Sequence, residues 1–272
     1  MIDSAIQKLK LSLKDGKHIC VGLDTDIKKI PKEFQNHSNP IIDFNKEIIN
    51  ATKDYAAAYK LNLGFYEKDG NKGFESLERT LELFPKNILV IGDAKRGDIG
   101  NTSQMYAESL YNHFGFDAIT LNPYMGYDSI EPFVSYEKKI NFFLALTSNE
   151  GAKDFEKLKL ESGDFLFQEV IHKVNLWNER KNCGIVFGAT KIDELKENIK
   201  LFNDLFVLLP GVGAQGGSIE DVVSVFNANQ NYNFLINVSR AIIYADSTKN
   251  FAEAARLKLV KYNDIIQKII GS

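Results

Sequence analysis

Eight short apolar runs punctuate the chain, at 19–23, 57–63, 88–91, 118–121, 142–146, 184–187, 205–209 and 234–238, and each is followed by a stretch with helical spacing. Within the runs apolar residues are continuous rather than alternating, as expected of strands buried on both faces of a parallel sheet. The stretches between them carry helix signals. Ser218 and Asp221 resemble a capping box ahead of Val222, Val223 and Phe226. After Thr248, residues Phe251, Ala254, Ala255, Ile265, Ile266 and Ile269 fall at helix-compatible spacings. With no Pro/Gly/Ser linker and no shift in composition, eight strand–helix units predict one α/β domain over 1–272, a single (β/α)8 barrel. A doubly wound open sheet is the alternative that periodicity leaves standing. The stretch 148–181 is the longest between strands, and its polar part, 149–163, is either a lid over the strand ends or a solvated surface insertion.

The chain's 272 residues suit one such barrel, and 44% hydrophobic with 25% charged residues suits a globule with a large core. A net charge of −3 and a pI near 5.9 argue against a nucleic-acid or membrane-surface binder. A bound phosphate should therefore be held locally, by a few donors. Cys20 and Cys183 are too few and too far apart for a disulfide framework and are expected to be free, buried thiols. The first fourteen residues lack the apolar stretch of a signal peptide, and no 18-residue apolar run occurs. A cytoplasmic protein is the expectation, and the sequons at 101–103 and 237–239 then carry little weight.

The chemistry gathers at Asp93-Ala94-Lys95-Arg96-Gly97-Asp98, which leaves the apolar run 88–91. Residues two apart on a strand share a side, so Asp93 and Lys95 are expected to face the same way, into the catalytic mouth if this is a barrel. A structural ion pair closing the strand end is the plain alternative. Lys60, inside the strand-like Ala56–Asn62 run, and Asp24, ending the first run, change the balance. The first three strands of a barrel are neighbours, so Asp24, Lys60, Asp93 and Lys95 should converge on one rim. Alternating cations and carboxylates there can hold one another in fixed positions, as electrostatic preorganisation requires. A phosphate site is expected at the glycine-rich stretch 210–218, after the seventh strand, with Arg240 just past the eighth. His18, His37, His113 and His172 are dispersed without metal-ligand spacing and are read as surface or core residues, with no metal site. Trp177 is read as packing and the run 153–161 as a solvated face.

These residues resemble the orotidine 5′-monophosphate decarboxylase family over nearly the whole chain, most specifically in the ten residues from Asp93 to Thr102. Asp24, Lys60, the run 147–152, the 210–217 loop and Arg240 follow in the family's order. The Lys-Arg-Gly-Asp wording is similar to the longer branch common in bacteria such as mycobacteria. The resemblance implies cofactor-free, metal-free decarboxylation of orotidine 5′-monophosphate to UMP. It implies Lys95 as proton donor to C6, with Lys60, Asp93 and Asp98 completing a charged network. Asp98, Ile99 and Thr102 would reach into the partner's site in a homodimer. Asp24 would bind the ribose and Ser148 the pyrimidine. Arg240 with the Gly213–Gly217 backbone, Gly216 included, would bind the phosphate, Gln215 would bridge base and phosphate, and Pro210 would contact the substrate. The chain departs from the family pattern in having no aromatic residue between Pro210 and Ser218, and at Leu61 and Ser239. Competing readings are a magnesium-dependent sugar-phosphate decarboxylase or aldolase, which would need a carboxylate where Lys60 stands, and a non-catalytic phosphosugar-binding barrel, which would not need two buried lysines.

Overall fold

The structure, a computed structural model, describes residues 3–190, 192–212 and 217–271. Each apolar run becomes a strand: β1 (Ile19–Gly22), β2 (Ala58–Asn62), β3 (Leu89–Arg96), β4 (Ala118–Leu121), β5 (Ile140–Leu146), β6 (Cys183–Phe187), β7 (Phe206–Pro210) and β8 (Phe234–Val238). They close in sequence order into a barrel of parallel strands. Closure, which periodicity left open, is decided by β1 pairing with β8, Ile19 opposite Ile236 and Val21 opposite Val238. The largest boundary difference is in β3, which runs past Ile91 to Arg96 and so carries Asp93 and Lys95 within the sheet itself.

Alternate residues of each strand face opposite ways. One parity packs outward against helices, as Val21, Tyr59, Ile119, Ile185 and Ile236 do with Phe44, Ile48, Leu77 and Val222. The other fills the barrel with Cys20, Ala58, Leu89, Ile91, Ala118, Phe142, Val186, Phe206 and Leu235. Large and small residues alternate in that interior. A Cβ on Gly184 would lie 2.8 Å from the Phe142 ring and 2.6 Å from the Phe206 carbonyl, so glycine there is what admits the ring. Burying a side chain of that size contributes on the order of 2 kcal/mol.

Helix Ala5–Lys14 closes the bottom of the barrel. Ser4 caps it by accepting from Gln7 N, and Ala5 and Leu9 join the interior cluster. Lys8 anchors the plug through Asp117 at 2.8 Å, while Asp117 also accepts from Val90 N. Ser218 is the N-cap of helix Ile219–Ala228, accepting from Asp221 N as expected. In the last helix, Phe251–Ile270, burial follows Phe251, Ala255, Leu259, Asn263 and Ile266. No helix among the described residues is long and apolar enough to cross a membrane.

Candidate active site

Following the inward rows towards the strands' C-terminal ends turns the lining from apolar to polar. Above Ala58 come Lys60 and Asn62, above Leu89 and Ile91 comes Asp93, above Ala118 comes Thr120, and above Leu235 comes Asn237. These line a cavity of about 360 Å³ together with Asp24, Lys95, Ser148, Pro210 and Arg240. A larger cleft of about 820 Å³ lies beyond Leu144, walled by Tyr124, Tyr127, Phe155 and Trp177. That cleft is mainly apolar, whereas the smaller cavity holds the clustered charge.

Asp93 is the hub. Its Oδ2 accepts from Lys60 Nζ at 2.8 Å, and its Oδ1 accepts from Lys95 Nζ at 2.5 Å and from Thr120 Oγ1 at 2.9 Å. Lys60 Nζ also lies 3.7 Å from Asp24 Oδ1. Burial by itself would raise the Asp93 pKa, but the two ammonium groups overcome it and hold the carboxyl well below the usual range. Burial likewise pushes Lys60 down, and Asp93 with Asp24 more than reverses this, so Lys60 stays charged. The Lys60 side chain is only 5% exposed and that of Lys95 is 48% exposed, so one ammonium is locked in the network while the other meets solvent. Beneath Lys60, burial pushes the Cys20 thiol up to about 12, so it is an inert neighbour rather than a thiolate.

The expected shared side of Asp93 and Lys95 is observed, with Ala94 between them packed outward, but the strand is irregular there. Lys95 has φ +49°, in the left-handed region, and the β3–β4 register shifts between Gly92 and Arg96. Such a backbone costs about 1–2 kcal/mol in a residue with a Cβ. Thr120 offsets this by accepting from Lys95 N at 3.0 Å while donating to Asp93, so one hydroxyl fixes both charged residues.

Nearby, Asp24 Oδ1, Asn237 Oδ1 and Ser239 Oγ are buried with no hydrogen-bond partner among the described residues. Asn237 and Ser239 crowd over Gly22, where a Cβ would lie 2.8 Å from Ser239 Cβ and 3.4 Å from Asn237 Oδ1. These acceptors suit the hydroxyl groups of a bound sugar. At the far end Arg240 is exposed and makes no ion pair among the described residues, leaving its guanidinium available to an anion. Gly217 N donates to Gly211 O at 3.3 Å, and a Cβ on Gly217 would press on both Gly211 O and Ala189 O.

One cavity thus brings together Asp24, Lys60, Asp93, Lys95, Ser148, Pro210 and Arg240, with Gly217 alongside. Asp98, Ile99 and Thr102 are not among its lining. Asp98 Oδ1 accepts from Ile99 N, and Ile99 is 61% exposed on the outer surface. Gly213, Gln215 and Gly216 lie outside the described residues. Sequence reasoning missed Thr120 and Asn237, each a polar residue at an inward position of an otherwise apolar strand, which is the signal that could have found them. It also read 153–161 as solvated. Glu156 is instead half-buried and accepts from Thr147 N at 2.7 Å and Thr147 Oγ1 at 2.8 Å, fixing the end of β5 beside Ser148. Of the histidines, His18 is buried and the other three are exposed; the described residues contain no cluster that could hold a metal.

The model of the orotidine 5′-phosphate decarboxylase / HUMPS family matches residues 17–255. A Porphyromonas gingivalis protein named orotidine 5′-phosphate decarboxylase is 48% identical over 240 residues, 87% of each chain. The solved structure of Leishmania donovani OMP decarboxylase is similar with a TM-score of 0.82 and 32% identity, covering 97% of this chain and 99% of that one. Leishmania donovani UMP synthase gives a TM-score of 0.85 and 34% identity, and this chain spans 56% of its length.

Proposed function

Since the chain belongs to the orotidine 5′-phosphate decarboxylase family, and so converts orotidine 5′-monophosphate to UMP, we propose that Lys95 protonates C6 within a charge network that needs no metal or organic cofactor. Loss of CO2 from C6 leaves a lone pair in the plane of the pyrimidine, where the ring π system cannot take it up. Fixed positive charge must stabilise it. One ammonium about 4 Å away contributes on the order of 4 kcal/mol at an effective dielectric near 20. Asp93, gripped by Lys60, Lys95 and Thr120, holds that charge in place before reaction, so little reorganisation is needed. The C6–CO2 bond breaks, its electron pair stays on C6, and a Lys95 proton forms the new C6–H bond. Solvent then reprotonates the exposed amine. A divalent cation at Asp93 would be repelled by both ammonium groups.

Asp24 binds the ribose, Ser148 the pyrimidine, Arg240 with Gly217 the phosphate, and Pro210 contacts the substrate from the cavity wall. The segment 149–163 acts as a lid. Asp98, Ile99 and Thr102 serve the site of a second copy in a homodimer. Exposed apolar residues after β3 and β4, Ile99, Met105, Tyr106, Tyr124 and Met125, support that interface. The substrate is a free nucleotide rather than a nucleic acid, and the buried free thiols of Cys20 and Cys183 suit the reducing cytoplasm.

The observation that carries this reading is the Lys60–Asp93–Lys95 clamp at the barrel mouth. It is tested by following pyrimidine absorbance with orotidine 5′-monophosphate in excess EDTA, for wild type and Lys95→Ala. Wild type should keep full activity, and Lys95→Ala should bind UMP but show essentially no turnover. Activity that vanishes with EDTA and returns with Mg2+, or a Lys95→Ala variant that turns over normally, would refute the mechanism.

A further inference from the structure

Asp24 Oδ1 makes no hydrogen bond among the described residues and has only the 3.7 Å ion pair with Lys60 Nζ, so the placement of the carboxylate leans on the backbone that carries it. That backbone is held from two flanks. On one flank Thr25 Oγ1 donates to Asn45 Oδ1 at 2.6 Å, and Asn45 Nδ2 lies 3.3 Å from both Tyr66 Oη and Thr80 Oγ1. All four side chains are buried, and the group ties the loop to the outer helices. On the other flank stands Tyr244. Its hydroxyl accepts from Asp26 N at 2.7 Å and donates to Asp24 O at 3.3 Å, bracketing the loop with one oxygen.

Tyr244 directly follows the helical turn Arg240–Ile243, and its N–H donates to Arg240 O at 3.1 Å. One short, hydrogen-bonded turn therefore carries Arg240 at its start and the Asp24 bracket at its end. The Tyr244 ring stacks on Phe44 at 6.0 Å, which limits how it can move. Burial pushes its pKa up to about 12 against the opposing hydrogen bond from Asp26 N, and the nearby Asp26 and Asp24 charges add to the rise. The hydroxyl thus keeps the proton that it donates to Asp24 O.

We propose that Tyr244 is a positioning residue that ties the seat of Arg240 to the placement of Asp24, so that engaging the phosphate also aligns the group that binds the ribose. This rests on the reading of Arg240 as phosphate ligand and Asp24 as ribose ligand. Phosphate binding energy then reaches the rest of the substrate through one turn of protein rather than only through the substrate's own bonds. Thr25 holds the same loop without touching the Arg240 turn, which makes it the natural control.

The test is a double-mutant cycle on kcat/KM with Tyr244→Phe and Arg240→Ala, alongside Thr25→Val with Arg240→Ala. Tyr244→Phe keeps the ring and removes only the hydroxyl. Alone it should lower kcat/KM about tenfold, the scale of one hydrogen-bonded hydroxyl. In the Arg240→Ala background the same change should cost less than about twofold, because a turn no longer seated on phosphate has nothing to transmit. The losses from Thr25→Val and Arg240→Ala should multiply. A hydroxyl that merely stabilises the fold would give multiplying losses for Tyr244→Phe as well, and that result, or a silent Tyr244→Phe, overturns the coupling alone. If Arg240→Ala is itself silent, the phosphate assignment falls and takes the coupling with it.

Discussion

At Lys95 a charged side chain sits on a backbone with φ +49°, a conformation that suits glycine, and it does so beside the carboxylate it pairs with. The strain is separable from the charge. Lys95→Ala and Lys95→Gly both remove the ammonium and should both be inactive, but glycine alone relieves the left-handed backbone. In urea unfolding the Gly variant should be more stable than the Ala variant by about 1 kcal/mol. The reverse order, which is usual within a strand, would show that Lys95 is not held in this conformation. The four charged residues of the mouth were legible because ionisable groups stand out at the ends of apolar runs. The φ of Lys95 was not legible, because nothing in Asp93-Ala94-Lys95 marks a register shift against β4. Thr120 was passed over because a hydroxyl is ordinary in a strand until a through-space partner gives it a task, and Asn237 because an amide gains meaning only from the cavity it lines.

At the scale of elements, the β1–β8 seam is where the barrel closes, and His18 lies at its base. His18 O accepts from Ile236 N at 2.8 Å, Nδ1 is 3.0 Å from Phe234 O, and the ring stacks on Phe234 at 4.2 Å. Burial lowers its pKa from 6.5 to about 4, partly opposed by the Phe234 hydrogen bond. The folded pKa is below the unfolded one, so the unfolded chain takes the proton first as the pH falls. Stability is then complete above the unfolded pKa near 6.5 and declines towards pH 4, by about 3 kcal/mol in all at 1.36 kcal/mol per pH unit. Chemical denaturation from pH 7 to 4.5 should show this slope, and His18→Gln should flatten it. An unchanged slope in His18→Gln would mean other groups cause the loss. All eight strands were readable from their apolar runs, whereas the plugging role of helix Ala5–Lys14 was not. Its pattern says only that one face is apolar, and the open end of a barrel exists only after closure.

For the whole molecule, the position of Asp98 is the informative feature. It lies three residues beyond Lys95 yet outside the cavity, with its carboxylate accepting from Ile99 N. If it serves the second copy in a dimer, two inactive variants should rescue one another. With Lys95→Ala and Asp98→Asn mixed equally and allowed to exchange, about half the dimers are mixed, and one of their two sites has both residues intact. Activity should return to roughly a quarter of wild type. Verified exchange with no recovery would mean that Asp98 acts within its own chain.

What the sequence by itself determined is whatever repeats along the chain. Continuous apolar runs, the helical spacing between them and the order of charged strand ends specify eight strand–helix units of a parallel sheet and the strand ends on which the chemistry lies. Tertiary structure decided the rest: the β8-to-β1 pairing that closed the sheet, the Asp93 hub with Thr120, the left-handed turn of Lys95, and the bracket that Tyr244 places on Asp24 and Asp26. The physical reason is range. Alternation and helical spacing are set by neighbours a few residues apart, whereas these contacts join strands and loops tens to hundreds of residues apart, and they depend on closure and register before any side chain can meet its partner.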